Sequence, residues 1–108
     1  TGLAWNITNL STTNLFRIDY NGSDRFSIRS TGQIGIGTSS PSNNAAIDAG
    51  STGRGFIPGK LTGTQAEALT LTSGDEGIIF RITNGNGSVI TSTGWWGWNG
   101  TTWEKLNN

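Results

Sequence analysis

The sequence predicts a mainly β protein: a repeating run of short strands over residues 1–43, then a small β-rich module over residues 44–108 with one short helix near 64–70. Three observations predict it. Apolar and polar residues alternate from Phe16 to Ile36, the period of strands with one apolar face. Turn-forming strings, among them Asn21-Gly22, Ser30-Thr31-Gly32 and Asn99-Gly100, break that alternation at short intervals. Gly, Ser, Thr and Asn together make 55 of the 108 residues, whereas Leu, Ile, Val and Phe make 23. A core built from so few large apolar groups is thin, and a chain of this kind needs disulfides, a metal or partner chains to complete it. Cysteine and histidine are both absent, which removes disulfides and the common zinc ligands. Association with other chains is the expected route.

Seven basic residues balance seven acidic ones. That argues against nucleic acid, whose phosphates are bound by clustered Lys and Arg. No stretch is long and apolar enough to span a bilayer as a helix, so no membrane insertion is expected. The chain begins at Thr1 without methionine and is expected to belong to a longer protein.

Taken in order, residues 1–14 show a weak alternation of Leu3, Trp5 and Ile7 against small or polar neighbours. A stronger one runs through Phe16-Arg17-Ile18-Asp19-Tyr20, and another through Phe26-Ser27-Ile28. Matching apolar faces sets Ile18 opposite Phe26, Phe16 opposite Ile28 and Asp19 opposite Arg25. The next hairpin has a three-residue loop, Ser30-Thr31-Gly32, which pairs Ile28 with Ile34 and Phe26 with Ile36. Its glycine falls where a type I turn followed by a bulge needs a left-handed residue. Phe-x-Ile-x-x-x-Gly thus occurs twice, from Phe16 to Gly22 and from Phe26 to Gly32. Such a meander has one apolar face and cannot bury it alone. Three identical chains around an axis would cover it, with Gly35 and Gly37 allowing backbones to approach.

Residues 38–55 read as a linker interrupted by a short strand, Ala45-Ala46-Ile47-Asp48. Thr64-Gln65-Ala66-Glu67 has the form of a capping box and predicts the helix. Ser73 to Gly77 is a turn, Ile78 to Thr83 a strand, and Asn84 to Gly87 a loop. The last block holds four of the five tryptophans. A two-residue turn at Asn99-Gly100 would set Trp98 opposite Thr101 and Trp96 opposite Trp103. Trp96, Trp98 and Trp103 then share one face as a small core, and Trp95 points the other way.

Phe26-x-Ile28-x-x-x-Gly32-x-Ile34-Gly35-Ile36-Gly37-Thr38-x-x-Pro41 resembles a segment common in bacteriophage tail fibres and related appendage proteins. Thr52-Gly53-Arg54-Gly55-Phe56-Ile57-Pro58, Leu61-Thr62-x-Thr64-Gln65, Gly77-Ile78-Ile79-Phe80 and Trp98-Asn99-Gly100-Thr101-Thr102-Trp103 resemble, in order, a module that often follows it. The resemblance covers most of residues 16–106. It departs at Gly59, where a second proline is common, at Leu61, where methionine is usual, and in the longer, Trp-rich Ser88–Trp96. It implies an intertwined homotrimeric β shaft followed by a β-rich tip, a location on the virion, and host attachment through a surface polysaccharide or protein receptor.

On that reading Phe16, Ile18, Phe26, Ile28, Ile34 and Ile36 form the interface between chains. Trp95 and the loop residues Asn84, Asn86 and Ser88 are the candidate receptor contacts, because loops on a rigid scaffold carry recognition and an indole presents an apolar face to a sugar ring. Trp95 has a second reading, as packing against a neighbouring chain. A carbohydrate-binding or adhesin module of a bacterial surface protein is the alternative function. No catalytic residues, cofactor or metal site are expected: the common histidine base and thiol nucleophile are missing, and Asp75-Glu76 reads as a solvated turn. Asp19 reads as one member of a surface charge pair with Arg25 rather than as a glycosidase acid paired with Asp24.

Overall fold

Alternating Phe, Ile and polar residues build a meander in the first part of the chain. β1 (Trp5–Leu10), β2 (Leu15–Tyr20), β3 (Ser23–Arg29), β4 (Ile34–Ile36) and β5 (Ile47–Asp48) form a five-stranded sheet in that order. The computed structural model describes residues 4–10, 15–50 and 52–106; Leu3, expected in the first alternation, lies outside them. The first four strands pair antiparallel and β5 pairs parallel to β4.

Register follows the apolar residues. Ile18 faces Phe26, Phe16 faces Ile28, Phe26 faces Ile36 and Ile28 faces Ile34. The β2–β3 turn differs from expectation. Asn21 and Gly22 both have positive φ, 52° and 82°, which makes a tight two-residue turn of the type Asn-Gly favours. An even loop would misalign the apolar faces, and a bulge next to Asp19 restores them: Asp19 faces Asp24, and Arg25 is the extra residue. The expected pairing of Asp19 with Arg25 is therefore replaced. Arg17 takes that place, 3.1 Å from Asp19 Oδ2 and 3.3 Å from Asp24 Oδ1.

After β4 the chain turns at Gly37 (φ 74°) and lays Thr38–Pro41 over the polar face of its own sheet. Ser27 Oγ donates to the Thr38 carbonyl at 2.7 Å, and Arg29 donates to the Pro41 carbonyl. Gly35 lies beneath this crossing. A Cβ there would collide with the Thr38 carbonyl and Ser27 Oγ, so the glycine serves an approach within one chain, not the approach between chains anticipated from sequence. Asp48 closes the crossing by accepting the Ser42 and Gly50 amides at 2.9 and 2.7 Å.

The chain divides into compact units Thr1–Gly55 and Phe56–Asn108. The first runs past residue 43 because β5, placed by the sequence in the second module, pairs with β4.

In the second unit β6 (Lys60–Thr62), β7 (Ile79–Asn84), β8 (Gly94–Trp98) and β9 (Trp103–Lys105) form a sheet in that order, with β6 and β7 parallel. α1 (Gly63–Glu67) follows β6 directly. Its capping box begins two residues earlier than the one read from sequence. Thr62 is the cap, with Gln65 Oε1 accepting the Thr62 amide and Thr62 Oγ1 accepting the Gln65 amide. The helix buries Ala66 against Ile82, Ile90, Trp96 and Trp103, flanked by Leu61, Leu71, Phe80 and Trp98.

The β8–β9 turn is also wider than expected. Trp98 faces Trp103 and Trp96 faces Lys105, so four residues, Asn99–Thr102, make the loop. Asn99 decides this: its side-chain oxygen accepts the Thr101 and Thr102 amides at 2.9 and 2.8 Å, a local capture that replaces the two-residue turn. The slip is two residues, so every side chain keeps its face.

Candidate functional site

Strand alternation places Phe16, Ile18, Phe26, Ile28, Ile34 and Ile36 side by side on one face of the first sheet, with Ile7 beside Ile18 and Ile47 beside Ile34. None of them is buried: Phe16 is 37% exposed, Ile36 44% and Ile7 73%. Trp5 extends the face and stacks at a tilt on Tyr20, ring centroids 5.1 Å apart. The polar face is the covered one. Asp19 and Ser27 are 3% and 0% exposed, and Pro41 is fully buried. A half-buried antiparallel sheet ordinarily does the reverse.

The polar face is internally satisfied around Asp19, which accepts from Asn6, Arg17 and the Gly22 amide. The Asn6 hydrogen bond, against the opposing effect of desolvation and with help from Gly22 and Arg17, holds its carboxyl below the usual value. Asp19 and Asp24 share Arg17, which ties them together as an ion cluster.

In the second unit the loop expected to meet a receptor is fastened from within. Asn86 Oδ1 accepts the Thr64 amide and hydroxyl at 3.0 and 3.2 Å. Ser88 donates through both its amide and hydroxyl to Glu67 Oε1, and the Val89 and Ile90 amides donate to Glu67 Oε2. The Ile90 amide does most to lower the Glu67 pKa; desolvation opposes it, and the Ser88 hydroxyl and the Val89 and Ser88 amides add to it. Gly87 leaves the room this needs, since a Cβ there would overlap the Glu67 carboxylate. Asn86 Oδ1 and the Ser88 amide and hydroxyl are thus engaged within the fold, and Asn84, Asn86 and Ser88 are all exposed. Glu67 was not legible as an anchor, because its partners lie 21 to 23 residues away and no local pattern announces them.

The tryptophans divide by face. Trp96 and Trp103 are 7% and 9% exposed. Trp96 Nε1 donates to the Ser92 carbonyl at 3.0 Å. Trp98, half-buried, stands edge-on to Trp103 with centroids 5.6 Å apart, and its Nε1 donates to the Thr72 carbonyl at 2.8 Å. On the opposite face Trp95 is 36% exposed under the Arg81 guanidinium, 5.5 Å from the ring centroid. Beside Trp98 opens a cleft of about 540 Å³, lined by the end of α1 and the chain after it (Glu67–Leu71), Val89, and Trp98 with Thr101–Trp103. None of these residues reads from the sequence as a ligand contact: Trp98 and Trp103 read as core and Glu67 as part of the capping box. Thr101 and Thr102 reach the cleft because the turn has four residues. Among the described residues no group of three or more His, Cys, Asp or Glu side chains is placed to hold a metal ion.

A sheet that covers its polar face and leaves its apolar face bare belongs to the class of chains completed by assembly. Residues 35–108 match the family described as phage tail like trimerisation region, and the chain belongs to that family. Membership supports a homotrimer and a component of a phage tail-like fibre in the virion. No curated protein and no solved structure matches the chain.

Proposed function

We propose that the protein is a non-enzymatic, host-attaching part of a trimeric phage-type tail fibre, in which three copies of the first sheet pack their apolar faces together. The bare face from Ile7 to Ile47 carries this reading. Apolar surface of that extent, left open while the chain's own loop covers the polar side, is stabilised by burial against like surfaces. Attachment uses the Trp98 cleft. Its volume suits one or two sugar rings, the indole offers an apolar face, and the Thr101 and Thr102 hydroxyls offer donors and acceptors. No uncommitted charge lines it, because the Glu67 carboxylate is spent on Ser88, Val89 and Ile90. The ligand class is therefore a neutral surface glycan, held weakly by each chain and firmly by three.

Solution mass tests the assembly: a cooperatively melting monomer of 11.4 kDa overturns it. Thr102→Arg, which fills the cleft from an exposed position, is expected to abolish binding to host cells at unchanged trimer mass. Undiminished binding by that variant removes the cleft from the proposal and leaves the assembly standing.

A further inference from the structure

The second sheet has a bare face of its own. α1 and the tryptophan core cover one side. On the other lie Ile79, Trp95 and Leu106, 46%, 36% and 53% exposed, grouped around Gly97. Ile79 is the cross-strand partner of Gly97, Trp95 accepts the Leu106 amide at 2.8 Å, and Leu106 lies over Gly97, within 3.2 Å of where a Cβ would stand. The face is asymmetric in charge. Lys60 and Arg81 lie on β6 and β7 at one end of the strand order, and Glu104 lies on β9 at the other. None of the three has an ion-pair partner among the described residues.

We infer that this face is a second interchain contact, and that its occupant is another copy of the same chain. The inference rests on the homotrimer reading and adds to the contact proposed for the first sheet. Two observations favour a copy of the chain over a foreign partner. The matched trimerisation span, 35–108, contains the whole second unit but only Gly35–Ile36 of β4 and β5 of the first sheet, so most of the first sheet's apolar face, from Trp5 to Ile34, lies outside it. The charge pattern is also complementary to itself head to tail. In a closed ring of three, the β9 edge of one copy meets the β6–β7 side of the next, bringing Glu104 towards Lys60 and Arg81 around a shared apolar centre. A heterologous contact of that kind closes into a ring when the rotation fits. Trp95 supplies the large aromatic anchor, with Arg81 stacked on it.

The absence of native cysteine gives a direct test on the whole chain. The double variant Lys60→Cys/Glu104→Cys is expected to join chains through a short bismaleimide, and Lys60→Cys/Val89→Cys, whose second cysteine is exposed on the other side of the unit, is expected not to. Trp95→Asp is expected to lower the solution mass from trimer towards monomer, with retained tryptophan near-UV circular dichroism showing that the Trp96–Trp98–Trp103 core still folds. If Lys60→Cys/Glu104→Cys gives no cross-link between chains in a trimeric sample, or if folded Trp95→Asp stays trimeric, the inference falls while the trimer stands. A wild-type monomer removes both.

Discussion

One carboxylate, Glu67, holds the Ser88–Ile90 segment through four hydrogen bonds. Its pKa is lowered in the folded chain, so its contribution has a definite sign. The stabilisation is fully present above the unfolded carboxyl value of about 4.3 and is lost as pH falls through the lower folded value. Amide resonances of Ser88, Val89 and Ile90 are expected to stay put from neutral pH to the ordinary carboxylate range and to move together below it. In Glu67→Gln they are expected to start displaced and to show no such titration; an unchanged titration would assign the effect elsewhere. Gly35 makes the second residue-scale case. Gly35→Ala forces a Cβ against the Thr38 carbonyl and Ser27 Oγ, and its expected cost is about 1–3 kcal/mol, read as a lower denaturation midpoint.

At the scale of elements, the hairpins show what short-range signals specify and where they stop. Asn-Gly occurs at both 21–22 and 99–100. The first makes the two-residue turn and the second does not, because the Asn99 side chain captures two amides of its own loop. Asn99→Ala is expected to cost about 1 kcal/mol without changing strand register, since the edge-on contact of Trp98 with Trp103 holds the pairing. Cross-strand contacts between the Trp98 and Trp103 rings in a nuclear Overhauser spectrum would confirm retention. The β-branched and aromatic alternation was enough to pair Phe16 with Ile28 and Ile28 with Ile34. It could not show the bulge at Arg25, because a two-residue turn with one extra residue in the strand matches the apolar faces just as an odd loop does. The helix was legible from its capping chemistry but displaced by two residues, since Thr62 and Thr64 both precede a plausible third-position partner.

At the scale of the whole molecule, two sheets each bury one face and leave an apolar one open. A chain finished by association gains stability by mass action. The thermal midpoint is therefore expected to rise with protein concentration, whereas a self-sufficient monomer would melt at one temperature throughout a dilution series. Ile36→Lys, at a 44%-exposed position of the first sheet, is expected to flatten that dependence by placing a charge in the proposed contact between chains.

The sequence by itself determined the class of fold, the apolar register of the first hairpins, the shared face of Trp96, Trp98 and Trp103, and the need for partner chains. These follow from period-two alternation and from a count of large apolar residues, both local or additive quantities. Only the tertiary structure decided which face of each sheet the chain covers for itself. Thr38–Pro41 crosses the polar side of its own sheet, Glu67 reaches the distant Ser88–Ile90 segment, and Leu106 lies over Gly97. Each is a contact between residues far apart in sequence or on adjacent strands, set by chain reversal and not by pattern. In the sequence Gly35 reads as room between chains and Gly87 as part of a loop; what each makes room for depends on what the fold brings against it, the Thr38 carbonyl for one and the Glu67 carboxylate for the other.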